Sequence, residues 1–357
     1  MKETVHTRTK ILILIALGLI LAAVALAGRF LAHPETSRGG ALSFSALEER
    51  NPGAAGQKPK VAAIEWKAPG SFDTKKKLDD YFSSAKASGF TDIYIRIDDA
   101  LDFKSIRDRN EERKKDEFDA SLRDFVSEAS EYGIRVEGLG GAPEWILPKN
   151  LDDVEYLIDY VAAYNAAADS DQKLGGMVFD IEPQALDDFD SDSGQQELLS
   201  DFVEMIDESA RHIRSAAPDL TLGFTVPFWF DGATRDIPNV PYAGSSAPTV
   251  FQAIRALSQT AHGEILVMAY RNKSSGHNGA IELSSDEINF ANNYAPNVRI
   301  LVGIAANKTS PSSITFYGKK QRDVQSDAEN IVSALGASPS FGGLFIHDFE
   351  SYEDLKK

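Results

Sequence analysis

VAAIEWKAPGSFDTKKKLDDYFSSAKASGFTDIYIRI, residues 61–97, places two short apolar runs on either side of a longer amphipathic segment. The runs Val61–Trp66 and Asp92–Ile97 are continuous rather than alternating, as strands buried on both faces are. The segment between them, Lys75–Ser88, reads as a helix and stops at Gly89. The same unit recurs along the chain. Further apolar runs are Ile134–Leu139, Met177–Ile181, Leu220–Val226, Ile265–Tyr270, Val298–Ile304 and Gly343–His347. Helical patterns between them include Phe118–Tyr132, Val154–Ala168, Glu197–Ala216, Val250–Thr260 and Val324–Leu335, several of which end in Gly or Pro.

Eight strand–helix units in about 300 residues predict an α/β fold, a closed (β/α)8 TIM barrel over residues 60–357. An open doubly wound sheet would carry a glycine-rich phosphate loop after its first strand. Glu65-Trp66-Lys67-Ala68-Pro69 is not such a loop. The last helix, after Glu350, is short, so the seam between the last strand and the first is where closure is least marked.

Residues 1–33 read as a signal peptide or N-terminal membrane anchor. Lys2, Arg8 and Lys10 precede an uncharged run from Ile11 to Ala27, and Ala25-Leu26-Ala27 fits a small-x-small cleavage site. Basic residues ahead of the run keep the N-terminus inside and send the rest across the membrane. The expected location is therefore extracytoplasmic, either membrane-anchored by one helix or secreted after cleavage. Residues 34–59, rich in Gly, Ala, Ser and Pro, read as a flexible linker.

The 357 residues contain no cysteine and carry a formal charge of −17. There is thus no disulfide framework and no thiolate chemistry. The acidic balance argues against a nucleic-acid partner, which needs clustered Lys and Arg. The charged stretch Arg107–Asp116 reads as a solvated helix face. The six histidines form no zinc pattern, and no Gly-x-Ser-x-Gly elbow occurs, so no metal or cofactor is expected. Asn272-Lys273-Ser274 and Asn307-Lys308-Thr309 are sequons that matter only in a eukaryotic secretory route.

Barrel enzymes place their chemistry at the C-terminal strand ends. Standing there are Glu65 and Trp66; Arg96 and Asp98; Glu137, Glu144 and Trp145; Asp180 and Glu182; Trp229; Tyr270 and Arg271; and His347. In Asp180-Ile181-Glu182 the two carboxylates sit at i and i+2, on one face of a strand and about 7 Å apart. Like charges that close raise one pKa and keep a carboxylic acid protonated for general-acid work. The structural alternative has Asp180 capping the following loop and Glu182 pairing with Arg96 or Arg271. Trp66, Trp145 and Trp229 are the only tryptophans, and all three fall at this mouth. Their flat faces suit the C–H faces of sugar rings, or else they roof the core.

These motifs resemble the chitinase-like glycoside hydrolases of family 18. The fourth strand of that family ends in Asp-x-Asp-x-Glu, whose last three positions match Asp180-Ile181-Glu182; Val178 stands at the earlier Asp. Its sixth strand often carries Met-x-Tyr-Asp; Met268-Ala269-Tyr270 matches, and Arg271 departs. Its last strand begins with glycines and ends in an aromatic, as Gly342-Gly343-Leu344-Phe345-Ile346-His347 does with His for Trp. The resemblance implies Glu182 as general acid, Asp180 as its orienting partner and Tyr270 as a hydrogen-bond donor to substrate. Arg271 for Asp departs from the N-acetyl-assisted mechanism.

A retaining scheme with its nucleophile at the end of strand seven finds no carboxylate in Gly303-Ile304-Ala305-Ala306-Asn307-Lys308. Glu65, Glu137, Glu144 or Glu350 would then have to supply it. The expected function is an exported glycoside hydrolase acting on a cell-surface or environmental polysaccharide. The alternatives are a non-catalytic carbohydrate-binding barrel and an inert envelope scaffold.

Overall fold

The computed structural model describes Ser43, Phe44, Leu47 and residues 58–357. The signal or anchor segment at 1–33 lies outside the described residues, as does most of the 34–59 linker. Among the described residues no helix is long and apolar enough to cross a membrane.

Eight parallel strands close into a barrel: β1 (Lys60–Glu65), β2 (Asp92–Arg96), β3 (Arg135–Gly140), β4 (Gly176–Phe179), β5 (Thr221–Pro227), β8 (Gly263–Met268), β9 (Val298–Ala305) and β10 (Phe341–His347). Helices α1 (Lys75–Ser88), α2 (Arg109–Glu131), α3 (Leu151–Ala167), α4 (Asp192–Ala216), α5 (Thr249–Leu257), α6 (Glu282–Tyr294) and α7 (Gln321–Leu335) cover it. The short helix α8 (Phe349–Glu353) ends the chain. The polar stretch Arg107–Asp116 proves to be largely the first turns of α2, which starts at Arg109 under an Asp108 cap.

The seam closes. β1 pairs with β10 from Lys60↔Gly343 to Ala63↔Ile346. Gly343 makes this possible: its φ is 127°, and a Cβ there would lie 2.1 Å from the Lys60 carbonyl oxygen. Over the seam lies an aromatic cluster in which Phe349 stacks 4.5 Å from Tyr81, and Phe90 meets both Phe349 and Tyr352. Phe44, inside the stretch expected to be linker, joins this cluster 5.4 Å from Phe90, and its amide donates to Ser88 O. Fully burying one such side chain contributes about 1.5–3 kcal/mol, enough to hold that point of the segment against the barrel.

A hairpin that alternation did not signal, β6 (Val240–Tyr242) with β7 (Ser245–Ala247), interrupts the β5–α5 connection. Its strands are three residues long, too short for a period, and its turn residues Ala243 and Gly244 both have positive φ.

Side-chain alternation divides the barrel interior into layers. An apolar middle layer holds Ala62, Ile64, Tyr94, Leu139, Val178, Leu266, Leu301 and Phe345. Beneath it, at the N-terminal mouth, Lys60 Nζ lies 2.7 Å from both Glu137 and Glu264 and 3.9 Å from Asp92. Arg135 adds a contact of 3.3 Å to Glu137. Burial pulls the Lys60 pKa down, but the three carboxylates outweigh it and raise it above its ordinary value. This polar floor lines a cavity of about 870 Å³ that opens at the N-terminal mouth.

Candidate active site

Above the apolar layer, the C-terminal mouth is built on β4. Val178 faces the apolar interior, so the next residue of the same parity, Asp180, is the first to clear it. Asp180 N donates to Gly140 O at 2.9 Å, which continues the β3–β4 ladder past the end of the strand. The close approach needs Gly141, where a Cβ would come within 2.1 Å of the Asp180 carbonyl oxygen. Thr225 on β5 donates its hydroxyl to Asp180 Oδ1. Burial raises the Asp180 pKa, against the pull of Thr225 and His347.

Glu182 follows in the loop. Burial first, and then the charge of Asp180, push its pKa up to about 7, while the side-chain amide of Gln184 donates to it and holds it back. Neither Arg96 nor Arg271 pairs with it among the described residues. Arg96 instead donates to Trp66 O at 3.0 Å and bridges Asp98 at 3.2 Å and Asp99 at 3.1 Å. Burial raises the pKa of Asp98 despite Arg96. A carboxyl with a pKa of about 7 spends much of its time protonated at neutral pH and can deliver that proton.

Tyr270 and His347 complete the centre of the mouth. Their rings lie 5.7 Å apart, and Trp66, 37% exposed, meets His347 at 5.8 Å. Burial and the charges of Asp180, Glu182 and Asp348 push the Tyr270 hydroxyl well above its usual pKa, so it remains a donor. His347 Nδ1 is buried with no hydrogen-bond partner among the described residues.

Toward β5, β8 and β9 the mouth opens into a cleft of about 690 Å³ whose lining includes Phe228, Trp229, Arg235, Arg271 and Lys273. Arg271 lies over the Phe228 ring at 4.6 Å and Arg235 over Trp229 at 4.4 Å. One face of Trp229 is therefore already covered.

The structure redistributes several residues expected at this mouth. Glu137 belongs to the floor of the barrel with Lys60, because it sits third in β3, below the apolar layer. Glu65 shares the parity of Ala63, which faces the helices, and is buried beside Tyr81 while accepting from the Lys67 amide at 2.8 Å. Trp145 is 7% exposed and packs on Phe179 in the core, so it offers no open face. Glu144 is exposed on the β3–α3 connection, and Glu350 pairs with Lys67 at 3.0 Å on the rim. Sequence reasoning missed Thr225, Gln184 and Arg235. Thr225 has the interior parity of β5 two residues before Pro227, a signal that alternation carries; the other two stand in loops with no period.

No family model matches the chain, and no curated protein matches it by sequence. Solved structures do. An exo-β-1,4-mannosidase from Opitutaceae bacterium strain TAV5 aligns over 85% of this chain at 12% identity with a TM-score of 0.52. This chain spans 57% of that mannosidase. A glycoside hydrolase family 18 chitinase from Pseudoalteromonas aurantia, 12% identical, aligns over 82% of this chain and 94% of its own at a TM-score of 0.46. A β-mannanase from the blue mussel Mytilus edulis, 10% identical, aligns over 83% and 90% at 0.49. The likeness is one of fold. The mannosidase's fold agrees with the closed eight-stranded topology, and a shared fold does not by itself carry a chemistry.

Proposed function

We propose that the protein is an exported glycoside hydrolase acting on a polysaccharide, with Glu182 as general acid. One observation carries the reading: a half-buried carboxyl at the C-terminal mouth whose pKa is pushed up to about 7. In this scheme Glu182 protonates the departing glycosidic oxygen as its C–O bond breaks, and water adds to the anomeric carbon, its proton passing to solvent. Asp180, fixed by Thr225, keeps the proton on Glu182 until then, and Tyr270 donates to the substrate. Trp66, the most open of the three tryptophans, is the surface against which a sugar ring would pack.

A second reading, a carbohydrate-binding barrel without turnover, rests on a different observation. Glu65, Glu137, Glu144 and Glu350 each have another place or partner, so none of these four serves as the second carboxylate that the retaining scheme needs. Val178 in the apolar layer likewise leaves Asp180 without the carboxylate that the family-18 pattern sets behind it.

A glycan-hydrolysis screen of the full chain beside Glu182→Gln separates the two. Sugar release by the wild type, lowered by about 10²-fold or more in the variant, is the expected result. No release by either protein, with equal glycan binding, rejects the catalytic reading in favour of the binding barrel.

A further inference from the structure

The cleft on the β5, β8 and β9 side of the mouth carries a charge opposite to that of the protein. The chain as a whole stands at −17, yet Arg235, Arg271 and Lys273 line the cleft together with no Asp or Glu. None of the three has an ion-pair partner among the described residues. Lys273 Nζ donates to the His277 carbonyl at 2.6 Å, and Arg271 to its neighbour's carbonyl, Tyr270 O, at 2.7 Å.

The two arginines are held by ring faces. Arg271 sits 4.6 Å over Phe228, and Arg235 sits 4.4 Å over Trp229 with Phe189 at 5.8 Å. A ring face under a guanidinium immobilises it while leaving N–H groups along its edge to donate; in Arg271 one of these is already taken by Tyr270 O. A planar fork of that kind matches the two oxygens of a carboxylate, or two of the three on a sulfate, through paired charge-assisted hydrogen bonds. Asp231 on the β5 side accepts from the Ala233 amide at 2.8 Å, and neither it nor Asp236, next to Arg235 in the chain, lines the cleft. Where the family-18 pattern has Asp after Tyr270, this chain has Arg271, so a cation replaces an anion at that position of the mouth.

We propose that the cleft is a subsite for an acidic sugar, a glycan unit bearing a carboxylate or sulfate that Arg271 and Arg235 grip from their ring platforms. The inference deepens the glycosidase reading and places the anionic unit on the β5–β8–β9 side of Glu182.

The test uses the full chain carrying Glu182→Gln, so that no ligand is consumed. Oligogalacturonate, sulfated dextran oligosaccharide, manno-oligosaccharide and chitotetraose are each titrated by calorimetry at two salt concentrations. The expected result is at least about tenfold tighter binding of one acidic ligand than of either neutral one, weakening as salt rises. The carboxylated and sulfated arms identify which anion is used. Arg271→Gln and Arg235→Gln should each weaken acidic binding by about tenfold, and Arg235→Gln should leave neutral binding and Tm unchanged. Arg235 is exposed, so its replacement does not threaten the fold. Neutral and acidic ligands binding equally, or losing affinity equally in both variants, overturns the subsite. Acidic binding that depends on both arginines, with no turnover by the wild-type chain in the hydrolysis screen, supports the subsite while rejecting the catalytic reading. Turnover of neutral glycans by the wild type, with binding indifferent to both arginines, does the reverse.

Discussion

Asp180 and Glu182 stand two residues apart in surroundings that differ. Both lose water, but Asp180 keeps the Thr225 hydroxyl and the influence of His347, whereas Glu182 has an amide donor and a negative neighbour. As a general acid Glu182 works in its protonated form, so kcat/KM should fall as pH rises through about 7. Asp180→Asn removes the charge that disfavours ionised Glu182. Its pKa should then move down, and the alkaline limb of the pH–rate profile should shift to lower pH. Carboxyl NMR of the two proteins reads the same displacement even if turnover is lost; an unmoved or raised Glu182 pKa would sink this account of the pair.

At the scale of elements, the end of β4 is placed by its neighbour β3. Gly141 lets the backbone at Asp180 close on the end of β3, and the ladder bond from Asp180 N to Gly140 O accompanies that approach. Gly141→Ala has no room: the new methyl would collide with the Asp180 carbonyl, which is backbone and cannot rotate away. Such overpacking should cost about 1–3 kcal/mol in denaturant unfolding. It should also lower hydrolysis by displacing the carboxylate pair. Stability and activity both equal to wild type would show that the β3–β4 contact does not set the site.

For the molecule as a whole, the two mouths of the barrel serve different ends. The floor gathers charges of both signs, with Lys60 bound to Glu137 and Glu264 and close to Asp92. Removing the cation by Lys60→Met would leave buried carboxylates facing one another. The expected loss is about 3–5 kcal/mol in global stability, because a broken buried pair leaves an uncompensated charge. Chemical denaturation measures it, and kcat at the opposite mouth should remain within about twofold where the protein is folded. A loss below about 1 kcal/mol would mean that water already solvates the floor.

The eight-unit barrel was legible from residues 61–97 outward because both of its periods are local. A strand buried on both faces must be apolar throughout, and a covering helix must turn one stripe inward. The position of Asp180 and Glu182 at a strand end was legible for the same reason. The tertiary structure decided the rest. Glu137 and Asp180 both read as carboxylates near strand ends, but Glu137 is third in β3, below the apolar layer, while Asp180 follows the last residue of β4, above it. Trp145 and Trp66 read alike as mouth aromatics, yet one sank into the core and the other stayed on the rim. Arg235 came to Trp229 through a loop that has no period. Which charges meet, and which are left free to hold a ligand, depends on contacts between residues far apart in the chain, and no local pattern encodes those.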